Sequence, residues 1–210
     1  MFPTVQNSVT DLVSALQEAV IPEPSTGAKA YLKFNQNGEY LFGRDSEEVT
    51  GDELIINTYS FTHGWVVWVN RKSTTSMVSF TKPMPPALDP IMGNEPTEAR
   101  GFEARFEDLP ETIVVFNTSS YGGRQGCDTL LSTIKQKVGR GETRYLFPVV
   151  KLSSTSYESK QGNTIFNPVF EIVDWMDEEG NRESGAASLA APKEAAEQET
   201  KPVRRRRTTA

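Results

Sequence analysis

One cysteine and one histidine in 210 residues remove most of the catalytic repertoire. With Cys127 alone, no intramolecular disulfide can form and no multi-cysteine zinc site can be built, so a reducing, cytoplasmic setting is expected. His63 has no second histidine with which to share a metal, and in the context THGW it reads as a structural hydrogen bonder rather than a base. No catalytic residue, metal site or cofactor is therefore expected, and the chain reads as a non-enzyme.

Long apolar runs are missing as well. Nowhere do about 18 apolar residues follow one another, and MFPTVQNSVTDLVSALQEAVIP lacks the basic start and apolar centre of a signal peptide, so no membrane partner is expected. Nor is there a basic excess: 22 Lys and Arg against 28 Asp and Glu leave a formal charge of −6, which disfavours non-specific wrapping of duplex DNA. The average conceals a division. From Arg124 to Lys160 seven basic residues stand against three acids, whereas residues 95–111 hold six acids and two arginines. A basic groove is compatible with an acidic chain.

Partial motifs fare poorly. SSYGGRQG, residues 119–126, lacks the spacing of a nucleotide-hydrolysing phosphate loop; a flexible loop meeting a phosphate backbone through Arg124 and its own amides, or an ordinary surface turn, is expected instead. Asp45, Glu47, Glu48, Asp52 and Glu53 crowd a turn-like linker and read as a solvated loop.

What the chain has is β-pattern and aromatics. SVTDLVSALQEAV, residues 8–20, carries apolar residues at helical spacing and stops at Pro22. AYLKFNQNGEYLFG reads as a hairpin around NQNG. DELIINTYSFTHGWVVWVNRK gives one or two strands, with breaks expected at Asn57 and His63-Gly64. Residues 83–98 hold five prolines and form a loop. GFEARFED and ETIVVFNTSS are strands. CDTLLSTIKQKVGRG is a helix over about residues 128–138, with Asp128 as cap and Gly139 as stop. The stretch from Thr143 to Trp175 is a long terminal hairpin around KQGN. Three parts follow: an N-terminal helix and linker, 1–27; a β-rich domain, 28–175; and a disordered charged tail, 176–210, ending in Arg204–Arg207.

Nine aromatics between Tyr31 and Phe80 are interleaved with Lys29, Lys33, Arg71, Lys72 and Lys82. Most belong inside. In FTHGWVVWVNRK, however, Trp65 and Trp68 lie an odd number of positions apart and point to opposite faces of a strand. One fills a core; the other, beside Arg71 and Lys72, suits a base-stacking surface with phosphate contacts, or a site covered by the N-terminal helix or a partner subunit. Spacing leaves open which is which.

The order YLKFNQNGEYLFG, INTYSFTHGWVVW and YLFPVVKLSSTSYESKQGNTIFNPVFEIVDW resembles a family of bacteriophage OB-fold single-stranded-DNA-binding proteins found among replication and recombination functions. The resemblance implies a mainly β (α+β) fold, a five-stranded, partly open barrel over residues 28–175, with two short helices. It also implies that the terminal hairpin, with Lys151, Tyr157 and Lys160, reaches over or along the strand, and that helix 128–138 caps the barrel and presents Lys135 and Lys137. The chain departs from many single-strand binders in ending on RRRRTTA rather than an acidic, aromatic-tipped peptide.

The expectation is a protein that coats single-stranded DNA during phage replication or recombination. Lys33, Arg71, Lys72, Lys82, Arg124, Lys135, Lys137 and Arg140 would track phosphates; Trp65 or Trp68, with Tyr31, Tyr121 or Tyr157, would stack bases. Replication or recombination proteins and further copies of the chain are the other partners considered. The alternative is a virion structural or assembly protein, a β-sandwich that buries its extra aromatics against neighbouring subunits.

Overall fold

The computed structural model describes residues 28–184, and the helix expected at residues 8–20 lies outside them. The described chain is mainly β: β1 (Ala28–Phe34), β2 (Tyr40–Phe42), β3 (Glu47–Glu48), β4 (Glu53–Ile56), β5 (Thr62–Val69), β6 (Lys72–Ser79), β7 (Thr97–Arg105), β8 (Thr112–Thr118), helix α1 (Tyr121–Gly139), β9 (Phe147–Glu158) and β10 (Thr164–Met176). Ten strands in one sheet stand where five were expected, and α1 is the one complete helix among the described residues.

The strands run in the order β10-β9-β4-β7-β8-β1-β2-β3, with β5 and β6 as a branch. Among the described strands only β1 and β8 pair in parallel. The branch has a local cause. β4 and β5 lie end to end along one edge of β7, Ile56 opposite Ala104 and Thr62 opposite Gly101. Between them Asn57 caps a 3₁₀ turn, Thr58–Ser60, and the Ser60 hydroxyl takes over the ladder, accepting from Glu103 N–H at 2.7 Å. Before the turn β4 pairs with β9, while beyond it β5 turns away to β6. Asn57 breaks the strand as expected. His63-Gly64 does not: both lie inside β5, where a side chain at position 64 would overlap the Ser76 carbonyl of β6.

The two ends of the sheet meet through side chains. Tyr40 on β2 donates its hydroxyl to Val169 O of β10 at 3.1 Å, and its ring packs edge-on against Phe170. Beyond β3 the chain exchanges backbone bonds with β9, Gly51 N to Leu152 O and Leu152 N to Asp52 O. The curled sheet encloses an aromatic centre in which Phe102 touches Phe61, Phe116 and Phe170, all with ring centroids 5.2–5.5 Å away.

Helix α1 starts seven residues before the expected Asp128, because the Ser120 side chain accepts from Gly123 N–H and caps it. The expected loop at 119–126 is therefore largely the first turns of a helix. Its apolar stripe, Cys127, Leu130, Leu131, Ile134 and Val138, faces the core, and burial pushes the Cys127 thiol up to about 12. The preceding turns lie on the otherwise open edge of β10. Gly122 and Gly126 make the approach possible, since a side chain at either would meet Asn167 or the Pro168 carbonyl. Covering an edge strand removes a template for aggregation.

The terminal hairpin and the NQNG hairpin form as expected. The tail boundary does not fall at 176. Met176 ends β10, and Arg182 bridges Glu53 at 2.7 Å and Glu107 at 2.6 Å, holding residues 177–184 against the ends of β4 and β7. Burial alone would raise Asp174, but hydrogen bonds from Ser184 and Trp175 N–H, with Arg182 nearby, hold its carboxyl below the usual range. Residues 185–210, including Arg204–Arg207, lie outside the described residues. No described helix is long and apolar enough to cross a membrane.

Candidate nucleic-acid interface

The strand β5 distributes its two tryptophans as the alternation requires, and the surroundings give each a role. Trp65 is half-buried and donates its indole N–H to Pro85 O at 2.9 Å, so the proline-rich loop is its partner. His63 lies on the same face, in contact with Lys82 O at 2.9 Å and with the Phe80 ring, a structural arrangement. Trp68 points to the opposite face and remains 54% exposed.

That outer face runs across five strands. In register, Tyr31 of β1 stands beside Val115 of β8, Val115 beside Glu103 of β7, and Gly101 beside Thr62 of β5, from which Gly64, Val66 and Trp68 follow at every second position. Leu32, Phe116 and Phe102, on the opposite face, are buried. Tyr31 is 57% exposed. The face is poor in acids: among β1, β5, β6, β7 and β8 its one acid is Glu103, bound to Lys29 at 2.8 Å. Ser73 and Thr75 of β6 stand opposite Trp68 and Val66 and add exposed hydroxyls. From the register, Tyr31 and Trp68 are separated by eight residues along the strands, about 26 Å at 3.3 Å per residue. Between them on this face Val66 and Ala99 are buried, so the two exposed rings mark its separate ends.

The end of this face is the β5–β6 turn. Asn70 and Arg71 form a two-residue connection with φ of 48° and 65°, both left-handed. Such a turn favours glycine at its second position, because a side chain costs energy there. Arg71 is strained yet present, and neither it nor Lys72 makes an ion pair among the described residues. Backbone strain at an exposed arginine beside an exposed tryptophan is a pattern of functional sites. Arg71→Gly should raise the midpoint of urea unfolding, by about 1 kcal/mol of stability, while weakening nucleic-acid affinity. A variant that gains stability with unchanged affinity would remove Arg71 from the interface.

The structure groups some expected residues and separates others. Trp68, Arg71 and Lys72 share the hairpin tip, and Tyr31 and Lys33 occupy the far end of the same face. Trp65 is withdrawn from the stacking role by its Pro85 partner. Lys82 is exposed but its carbonyl is engaged by His63. Arg124 is bound to Glu98 at 2.6 Å, so it is not the open phosphate contact expected. Lys151 sits in register between Glu53 and Glu171, where acids on both neighbouring strands oppose a phosphate. Arg140 pairs weakly with Glu142 at 3.4 Å. Lys135 and Lys137 lie on α1, and Tyr121, Tyr157 and Lys160 belong to a second locus at α1 and the distal terminal hairpin.

Ser73 and Thr75 are not singled out by the sequence, because the Ser- and Thr-rich run KSTTSMVS shows no apolar alternation of a strand. The available signal was VNRK, a two-residue turn beginning with asparagine between two runs of β-branched residues. No protein-family model, curated protein or solved structure matches the chain.

Proposed function

We propose that this protein is a non-enzymatic single-stranded-DNA-binding protein that holds the strand along the outer face from Trp68 to Tyr31. The observation that carries the reading is the β5–β6 tip: an exposed tryptophan on a face whose one acid is already paired, with Arg71 in the turn and Lys72 just after it, paired with Val69 on the opposite face, neither cation ion-paired among the described residues. Stacking on Trp68 and Tyr31 tolerates any base, and the cations take the phosphates. Duplex DNA offers no unstacked base to these rings.

The resemblance to phage OB-fold proteins supports the same reading. In it, β10, β9, the broken strand β4–β5, β7 and β8 constitute the five-stranded barrel, α1 caps it, and β1–β3 and β6 are additions. Replication or recombination, with the proteins that serve them, is the setting this implies.

The test is tryptophan fluorescence of the full chain titrated with oligo(dT) at two salt concentrations, against matched duplex, with a second chain carrying alanine at Arg204 through Arg207. Quenching by the single strand, weakened by salt and retained by the alanine-tailed chain, is expected. Equal binding of duplex, or loss of all binding with the tail arginines, would refute the reading. Self-association of the chain without nucleic acid would favour the virion-protein alternative.

A further inference from the structure

A groove of about 190 Å³ lies between the first three turns of α1 and the distal half of the terminal hairpin, away from the face described above. Its floor is apolar, made by Leu130, Pro168 and Phe170, and Gln125, Thr129, Thr155 and Asn167 add polar groups at its sides. None of its lining residues carries a charge.

These polar groups are free to bind. Among the described residues the Asn167 amide, its oxygen lying against Gly122, makes no hydrogen bond, nor do the Thr129 and Thr155 hydroxyls, and Gln125 reaches only the Tyr121 hydroxyl, at 3.4 Å. Exposed aromatics flank the groove. Tyr121, 69% exposed, begins the helix, and Tyr157 follows Thr155 on the same strand face, opposite the exposed Ile165.

We infer that this groove receives a nucleobase. The absence of charge disfavours a phosphate, a carboxylate or an amine, each of which would lose its hydration without a counter-charge. An apolar floor with a few convergent polar groups is the composition of a small-molecule site, and the volume falls below the roughly 300–1,000 Å³ typical of drug-sized ligands, which suits one planar ring system. Side-chain amides present a donor and an acceptor together, the pairing that reads a base edge, and the two tyrosines offer stacking surfaces. The base arrives either as a nucleotide of a bound single strand, which rests on the function proposed above, or as a free nucleoside, which does not.

The test is ¹⁵N NMR of the full-length chain, following the side-chain amide signals of Gln125 and Asn167, identified by their loss in Gln125→Leu and Asn167→Leu. The probes are the four deoxynucleosides, oligo(dT), oligo(dA), and an abasic oligomer of equal length. Shifts of both signals with a deoxynucleoside and with a base-bearing oligomer, but not with the abasic one, are expected. Asn167→Leu should then weaken the nucleoside at least about fivefold. Shifts with oligomers alone place a strand-borne base in the groove. Shifts with deoxynucleosides in a chain that binds no oligomer keep this inference and overturn the proposed function. Unmoved signals with every base-bearing probe overturn this inference, and leave the proposed function standing if Trp68 is still quenched by oligo(dT).

Discussion

Trp68→Ala is expected to weaken oligo(dT) binding by about 1–3 kcal/mol, roughly 5- to 150-fold, the range found for removing one base-stacking aromatic. The residue is exposed on the outer face and makes no contact with the buried aromatic centre, so stability should change by less than about 0.5 kcal/mol. The salt dependence should persist, because Arg71 and Lys72 remain to displace counterions. Fluorescence offers an internal control. Trp65 is held by Pro85 and Trp175 is 5% exposed, so the residual emission of the variant should be nearly insensitive to the strand. Binding by anisotropy of a labelled oligomer gives the affinity independently. Unchanged affinity would exclude Trp68 as the stacking platform and, with it, the hairpin tip as the interface.

Phe102→Ala is expected to cost about 3–5 kcal/mol, a large share of the 5–15 kcal/mol that is roughly the whole stability of a domain. Phe102 is 2% exposed, and its ring joins elements far apart in sequence: Phe61 after the 3₁₀ turn, Phe116 on β8 and Phe170 on β10. Removing it leaves a cavity that three rings on three elements cannot close together. Urea unfolding followed by circular dichroism should show a much lower midpoint with an unchanged m-value, and Phe102→Leu should recover much of the loss. A loss below about 1 kcal/mol would mean that the aromatic centre is not what unites the curled sheet. The two variants separate the roles: one should lose binding and keep the fold, the other should lose the fold.

Local chemistry accounts for the elements that were legible. NQNG makes its turn because the Asn35 side chain accepts from Asn37 N–H and Glu39 N–H, all within five residues. The α1 stripe and the proline loop are likewise set by near neighbours. Three features were hidden, two by partners far along the chain and one by its composition. Helix α1 begins at Tyr121 on the local Ser120 cap, but its first turns are seated by Gly122 and Gly126 against β10, some forty residues on. β6 is a strand because it pairs with β5 around a strained turn, although Ser and Thr give it no apolar alternation. Residues 177–184 join the body because Arg182 finds Glu53 and Glu107, which composition counted only as charges.

The candidate site divides along the same line. Alternation alone placed Trp65 and Trp68 on opposite faces, since successive side chains of any strand point opposite ways. Which one meets solvent was decided by Pro85, twenty residues later, whose carbonyl lies where the Trp65 indole can reach it. Composition likewise identified the cations, but tertiary pairing chose among them. Glu98 engages Arg124 and acids flank Lys151, whereas Arg71 and Lys72 stand clear at a hairpin tip. The sequence by itself determined residue type, local turns and strand parity, all consequences of short-range geometry. Only the tertiary structure decided exposure and charge pairing, because both depend on which distant segment the curled sheet brings alongside.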